Sequence, residues 1–218
     1  MSDRRSRIDP EHPIGGEMSD ILRGLFRRLQ LKTLLGRHHS VPILALFSFV
    51  NGCLSIGIMT VVALVTGEPF IFPSLGPTAF LFFYTPSAPA ASPRNTIMGH
   101  VIGCAAGWLS LVLFGLTDAG SALSTGVTGP RVLAAALSLG LTSGLMVLLR
   151  TPHPPAGATT LIVSLGLLTD LWQLGVLMIA VVLLTVQAFV INRLAGLPYP
   201  LWAPPQSAVQ PQESVPRG

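Results

Sequence analysis

Long apolar stretches alternate with short polar breaks along the chain. Six apolar segments follow one another, at about residues 41–66, 70–84, 97–116, 131–150, 155–169 and 171–192. Several reach the roughly 20 apolar residues that a helix needs to cross a hydrocarbon core of about 30 Å. The second and fifth segments are short, and each opens with prolines and a glycine, which interrupt helices. The pattern predicts an all-α membrane protein in which these two segments are broken half-helices.

The two short segments resemble each other. Residues 73–79 read PSLGPTA and residues 154–160 read PPAGATT, and an offset of 81 pairs identical residues. The pairs are Pro73 with Pro154, Gly76 with Gly157, and Thr78 with Thr159. The same offset places the first segment over the fourth and the third over the sixth. The sequence therefore predicts two three-segment repeats, the second inverted relative to the first because three crossings reverse the direction of the chain.

Composition assigns the remaining parts of the chain. Half of the 218 residues are apolar and 10 % are charged, whereas about a quarter of a soluble domain is charged. Eight of the thirteen lysines and arginines precede the first apolar segment, which is typical of a cytoplasmic anchor rather than of a nucleic-acid surface. We expect a disordered tail over 1–17, a cytoplasmic amphipathic helix over 18–37, a transmembrane domain over 38–195 and a Pro-rich tail over 196–218. The amphipathic helix would lie on membrane lipids or dock on the bundle.

The charges between the segments predict an orientation. With the amino terminus in the cytoplasm and six crossings, three arginines fall inside and three acidic residues outside. They are Arg94, Arg150 and Arg193 inside, and Glu68, Asp118 and Asp170 outside. Arg131 alone violates the positive-inside rule. The pattern favours a multi-pass protein of the bacterial inner membrane with both termini in the cytoplasm. If the short segments were re-entrant hairpins, four crossings would remain.

The starts of the two short segments form the candidate binding site. A broken helix at membrane depth must be buried in protein or line a wet cavity, and its first N–H groups carry the positive end of the helix dipole. Such an end attracts an anion. The candidate residues, through amides or hydroxyls, are Ser74, Leu75, Gly76, Thr78, Ala156, Gly157, Ala158, Thr159 and Thr160. The amides of residues 156–158 are expected to be free. The alternative is that prolines and glycines only kink the helices for packing.

Polar side chains near these starts extend the candidate site. His153 lies at the mouth of the fifth segment and is expected to bind substrate, while His100 lies a turn into the third segment. Ionisable groups inside a membrane are expensive and often functional. Together with Arg94 and Asn95 at the start of the third segment, His100 is a candidate for gating or anion steering, or for helix packing. No Asp or Glu lies within any apolar segment, so a carboxylate site for cations has no residue to form it.

Three motifs carry a resemblance to a known family. They are His153-Pro154-Pro155 followed by AGATT, the block PSLGPTA, and the stretch from Pro93-Arg94-Asn95-Thr96 to Gly99-His100. With these motifs in order over about residues 38–195, the chain resembles the HPP family of integral membrane proteins. The resemblance implies a transporter-like protein, since plastid and cyanobacterial relatives are associated with nitrite transport.

The leading hypothesis is a transporter or channel for a small inorganic anion, nitrite being the choice that the resemblance favours. The anion would bind between the two half-helix N-termini near the bilayer midplane. One alternative is a structural or assembly membrane protein, and another is an intramembrane enzyme with His153 and His100 as acid and base. We expect no enzyme activity, no cofactor and no metal site, because no metal-ligand spacing exists. Gly99, Gly103 and Gly107 allow close helix contacts, within one chain or between copies in a homo-oligomer.

Overall fold

A computed structural model describes residues 30, 31, 33 and 40–204. In this part the chain forms seven α-helices and no strand, which confirms the all-α prediction. The helices are α1 (Ser40–Thr66), α2 (Leu75–Tyr84), α3 (Pro93–Leu113), α4 (Ala122–Thr125), α5 (Gly129–Leu148), α6 (Ala156–Ser164) and α7 (Leu171–Leu194), with a 3₁₀ turn at Pro89–Ala91. The predicted tail over 1–17 and most of the predicted helix over 18–37 lie outside the described residues, as does the chain beyond 204.

Two classes of helix alternate in the fold. The helices α1, α3, α5 and α7 are long and apolar enough to cross a membrane, with mean hydropathies of 2.0, 1.7, 1.7 and 2.7. Between them lie α2 with 10 residues and α6 with 9. At about 1.5 Å per residue these short helices span roughly 15 and 14 Å, half of a hydrocarbon core. The structure is that of a membrane protein with four candidate spans and two shorter apolar helices.

Local sequence explains where the helices begin and end. Pro93 opens α3, where its missing N–H costs nothing, and the Ser92 hydroxyl caps the helix by accepting from the Asn95 amide at 3.4 Å. At α7 the Asp170 carboxylate accepts from the Trp172 amide at 2.9 Å. The helix α1 ends at Thr66, and Gly67 follows it with a φ of 74°, the left-handed conformation that follows many helices.

Contacts between helix termini define two ends of the bundle. At one, which we call the Glu68 end, the Trp172 indole donates to the Glu68 carboxylate at 3.2 Å, joining the end of α1 to the start of α7. At the other, the Arg94 end, the Arg94 guanidinium lies 3.5 Å from the Leu149 carbonyl oxygen, joining the start of α3 to the end of α5. The segments that contain α2 and α6 therefore each run from one end of the bundle to the other.

Helix α3 lies at the centre of the bundle. Buried residues make up 56 % of its apolar window, against 17 % for α1 at the periphery. Glycines allow α6 to approach α3 closely: a Cβ atom at Gly99, Gly103 or Gly107 would lie 2.7 to 2.8 Å from the side chain or backbone of residues 153–163. These glycines are thus used for packing within one chain. The close approach also places the segment before α6 beside the second turn of α3.

Candidate site at the junction of the short helices

Two histidines meet where the short helices begin. His100 lies in the second turn of α3, and His153 lies in the loop three residues before α6. Their Nε2 atoms are 3.2 Å apart, their ring centroids are 4.9 Å apart, and both side chains are fully buried. Gly99 permits this pairing, because a Cβ atom at that position would lie 2.7 Å from the His153 Cβ. We call this pair and its hydrogen-bond partners the histidine junction.

The ring of His100 joins the two short helices. Its Nε2 atom lies 3.1 Å from the Thr78 hydroxyl of α2, and its Nδ1 atom lies 2.7 Å from the Thr159 hydroxyl of α6. Both threonines are fully buried, and each is one turn into its helix. The starts of α2 and α6 therefore converge on a single imidazole.

The partners of His153 decide where its proton lies. Its Nδ1 atom is 2.7 Å from the Ala90 carbonyl oxygen, which can only accept, so Nδ1 carries hydrogen. Its Nε2 atom is then an acceptor in the neutral ring, within reach of His100 Nε2 and, at 3.3 Å, of the Thr78 hydroxyl. The Thr96 hydroxyl, 3.4 Å from Nδ1, adds a weaker contact.

One arrangement of hydrogens satisfies the whole junction with both rings neutral. His100 carries its hydrogen on Nε2 and donates towards His153 Nε2 and the Thr78 oxygen, and its Nδ1 accepts from the Thr159 hydroxyl. The Thr78 hydroxyl donates to the Ser74 carbonyl at 2.9 Å. Only one hydrogen fits between the two Nε2 atoms, because a second would put two N–H groups head to head. The protonation of one histidine is therefore coupled to that of the other.

Four of the backbone amides expected to bind an anion already donate to carbonyls of the chain. The amides of Ala156, Gly157 and Ala158 donate to the carbonyls of residues 153, 154 and 155 at 2.9 to 3.0 Å. The Leu75 amide donates to the Phe72 carbonyl at 2.9 Å. The expectation that the amides of residues 156–158 are free was wrong, because the Pro-Pro turn continues into α6 and its carbonyls face these N–H groups. Side chains, rather than these four amides, therefore face the junction.

The other predicted residues divide into two groups. Ser74 and Thr160 are fully buried, and their hydroxyl oxygens have no hydrogen-bond partner among the described residues. Gly76 is exposed on α2, and Gly157 is half-buried, where an added Cβ atom would have only the end of Leu139 within 4 Å. The two hydroxyls thus remain available to a ligand, whereas the two glycines do not touch the histidine pair.

Arg94 and Asn95 lie at the Arg94 end, and neither side chain hydrogen-bonds to the histidine pair. The half-buried Arg94 contacts the end of α5, and its amide donates to the Trp202 carbonyl at 3.0 Å. The Asn95 side-chain amide donates to the Pro89 carbonyl at 2.9 Å, which ties the 3₁₀ turn to α3. Their contacts are those of capping and anchoring residues, and the gating or steering role stays a prediction.

Three polar groups were not predicted as site residues, two at the histidine junction and one at the far end of α6. The Thr96 hydroxyl and the Ala90 carbonyl contact His153. Thr96 belongs to one of the three motifs, but neither residue type gives a sign of this contact. Arg131 is buried and contacts the end of α6. The sequence did mark Arg131 as unusual, because it is the one arginine that violates the positive-inside rule. Within residues 40–204, no group of three or more His, Cys, Asp or Glu side chains could hold a metal ion.

Comparisons with known proteins identify the family. A family model described as "HPP, transmembrane region" matches residues 38–200. Two proteins of Dictyostelium discoideum, each described as a transmembrane protein, are 34 % and 32 % identical to the chain over 93 residues. The matched region is 43 % of this chain and 29 % and 27 % of the relatives, so the chain spans less than a third of the length of these curated relatives. No solved structure matches the chain.

Proposed function

This chain belongs to the HPP transmembrane family, and from that premise we propose that it carries a small inorganic anion across a membrane. The observation that supports this most is the convergence of α2 and α6 on His100, through Thr78 and Thr159. Two helix starts that face one point bring two positive dipole ends together inside the bundle. Such a point favours an anion and disfavours a cation. Nitrite is the first substrate to test, because the family resemblance favours it.

The ligands that we propose for the anion are hydroxyls and imidazole N–H groups. Ser74 and Thr160 are buried without partners among the described residues, and Thr78 and Thr159 can turn from His100 to a substrate. A buried hydroxyl that lacks a partner costs free energy, which a bound anion would recover. The acidic residues Glu68, Asp118 and Asp170 all lie outside the α-helices of the described part, so no carboxylate on a helix competes for the positive dipole ends.

Proton coupling follows from the histidine pair. In the neutral pair, one N–H lies between the two Nε2 atoms and no second donor faces it. A second proton would replace the contact between the rings by two N–H groups, one from each histidine, and an anion placed between them would accept both. We therefore propose that the anion and a proton bind together and that their release restores the contact between the rings.

The helix contacts support an inverted repeat and six crossings. Helix α3 packs on α6 and α5, and helix α7 packs on α2 and α1, which are the corresponding helices of the other repeat. The segments containing α2 and α6 run between opposite ends of the bundle, as crossings by a half-helix plus an extended stretch would require. We propose that this unit lies in a bacterial inner membrane with the Arg94 end in the cytoplasm, where the positive-inside rule places Arg94, Arg150 and Arg193.

Transport rather than catalysis is our proposal for the histidine pair. An enzyme reading would make one imidazole a base, and such a base is usually oriented by a carboxylate or a similar third group. Here the orienting groups are the Ala90 carbonyl and three threonine hydroxyls, and both rings are shielded from solvent. No contact at the junction favours an intramembrane enzyme or a structural or assembly protein over a transporter.

Anion flux into liposomes tests the proposal. The purified chain would be reconstituted, and the initial uptake of nitrite, nitrate, chloride and formate would be compared with uptake by protein-free liposomes. We expect protein-dependent uptake of at least one of these anions and its loss in His100→Ala. Liposomes that contain correctly folded protein and take up none of the four anions would contradict the proposed function.

A further inference from the structure

Arg131 is a buried cation without an acidic partner in the described part of the chain. Its side chain is 2 % exposed at the start of α5, near the Glu68 end. Nη1 donates to the Ser164 carbonyl at 3.1 Å and Nη2 donates to the Gly120 carbonyl at 2.8 Å. These are the polar contacts of the guanidinium among the described residues, and neither partner carries a charge. A buried arginine is costly unless something compensates its charge.

The end of α6 compensates this charge only in part. Ser164 is the last residue of α6, so the guanidinium lies against the negative end of that helix dipole. A guanidinium has five N–H groups, and two of them have acceptors here. The Ser164 hydroxyl beside them is fully buried and has no partner among the described residues. If Arg131 served only to cap α6, its remaining N–H groups and the Ser164 hydroxyl would have no function.

Unpartnered hydroxyls continue from Arg131 towards the histidine junction. Thr142 on α5 and Thr160 on α6 are fully buried, and neither hydroxyl has a partner within the part of the chain that the structure describes. Ser55 on α1 is likewise fully buried and without a partner among the described residues, but two other buried hydroxyls of the bundle behave differently. Those of Ser110 on α3 and Thr185 on α7 donate to the carbonyl four residues back, at 2.8 and 2.7 Å, which is the usual solution for a hydroxyl in a membrane helix.

The register of α5 and α6 places these hydroxyls in order. Arg131 contacts Ser164, and a Cβ atom added at Gly157 would lie 3.5 Å from Leu139, so the two helices run antiparallel. Thr142 lies about three turns beyond Arg131 on the same face of α5. The register places Thr142 at the level of His153. Thr160 lies between the level of Arg131 and the level of His153. The seam between α5 and α6 thus carries polar groups at intervals from Arg131 to the level of the histidine junction.

We propose that the α5–α6 seam is the anion route between the histidine junction and the Glu68 end, with Arg131 as the anion-binding residue at its mouth. This proposal rests on the proposed function and adds a second binding residue and a path to it. A small planar anion such as nitrite suits the site, because a guanidinium can donate two parallel hydrogen bonds to a pair of oxygens. The unpartnered hydroxyls of the seam would replace the hydration of the anion as it passes.

Cysteine accessibility tests the route without requiring transport. In a background without Cys53 and Cys104, Thr142→Cys and Thr160→Cys would be treated with a small, water-soluble methanethiosulfonate reagent. Thr185→Cys is the matched control, since it is also a buried threonine but lies on α7. We expect residues 142 and 160 to be modified faster than residue 185. Equal rates at all three positions would overturn the route, even if the wild-type protein transports nitrite.

Kinetics test the role of Arg131 separately. Arg131→Gln keeps donors for the two carbonyls but removes the charge, whereas Arg131→Lys keeps the charge. We expect Arg131→Gln to raise the KM for nitrite about tenfold or more with little change in the maximal rate, and Arg131→Lys to lie between it and the wild type. An unchanged KM with a lowered maximal rate would make Arg131 a helix cap and overturn its binding role. If the wild-type protein moves no anion, the proposed function fails, and the labelling rates still decide whether the seam is open to water.

Discussion

Thr78 and Thr159 lie on opposite nitrogen atoms of one imidazole, that of His100, at 3.1 and 2.7 Å. The two threonines are also paired by the sequence offset of 81 residues. His100 has no such counterpart, since the same offset leads from it to Val181, and from His153 back to Phe72. The threonines therefore follow the repeat while the histidines depart from it. We infer that the repeat supplies two similar helix starts and that the histidine pair makes the site between them asymmetric.

The shared ring predicts that the two threonines are energetically coupled. Thr78→Val and Thr159→Val each remove one hydrogen bond to His100 and preserve shape, at a cost of about 0.5–1.5 kcal/mol in the free energy of unfolding. Because the ring can reorient once either bond is lost, we expect the double variant to lose less than the sum of the two. A double-mutant cycle on thermal or denaturant unfolding in detergent measures this difference. Strict additivity would mean that His100 does not couple the two helices.

Gly99 is predicted to hold the histidine pair together by its lack of a side chain. In Gly99→Ala the new Cβ would lie 2.7 Å from the His153 Cβ, so we expect a loss of about 1–3 kcal/mol in stability and a loss of uptake. Gly140→Ala is the matched control, because that glycine also lies in a long helix but an added Cβ atom there would have nothing within 4 Å. It should be neutral or slightly stabilising. Equal melting temperatures for the two variants would argue against tight packing at Gly99.

Much of the fold could be predicted because it depends on local pattern. Apolar segments of helix length predict the long helices, and Pro73 and Pro154 mark the breaks before α2 and α6. Prolines and glycines change the backbone where they stand, so their effect can be predicted from neighbouring residues alone. The all-α membrane class is therefore visible in the sequence.

The details of the site could not be predicted in the same way. His100 and Thr159 are 59 residues apart, and their contact depends on how closely α3 approaches α6. The amides of residues 156–158 were expected to be free, because residue types do not show in which direction the carbonyls of the Pro-Pro turn point. Arg131 was recognised only as an exception to a charge rule, since the sequence does not show that it folds back onto the end of α6.

Topology can be tested with single cysteines in a background without Cys53 and Cys104. Ser87→Cys and Pro152→Cys lie at exposed positions towards the Arg94 end, and Leu123→Cys, at a position 81 % exposed, lies towards the Glu68 end. With six crossings, a membrane-impermeant maleimide should label 87 and 152 only in inside-out vesicles and 123 only in right-side-out vesicles. Labelling of 87 and 152 from the periplasm would rule out the proposed orientation.

The histidine pair predicts that uptake increases as the pH falls. If the anion binds with a second proton on the pair, binding is favoured where protons are abundant, so nitrite uptake should rise from about pH 8 to pH 5. Protein-free liposomes must be subtracted at each pH, because undissociated nitrous acid crosses bilayers without a carrier. His153→Gln can still donate to the Ala90 carbonyl but cannot take up a proton, so its uptake should be lower and nearly independent of pH. His100→Gln should behave similarly, since the added proton belongs to both rings.

A pH-sensitive dye inside the liposomes should also report acidification that accompanies nitrite entry in the wild type. If His153→Gln keeps the wild-type pH profile, the histidines do not carry the coupled proton, and their contact serves only to hold α3 against the start of α6.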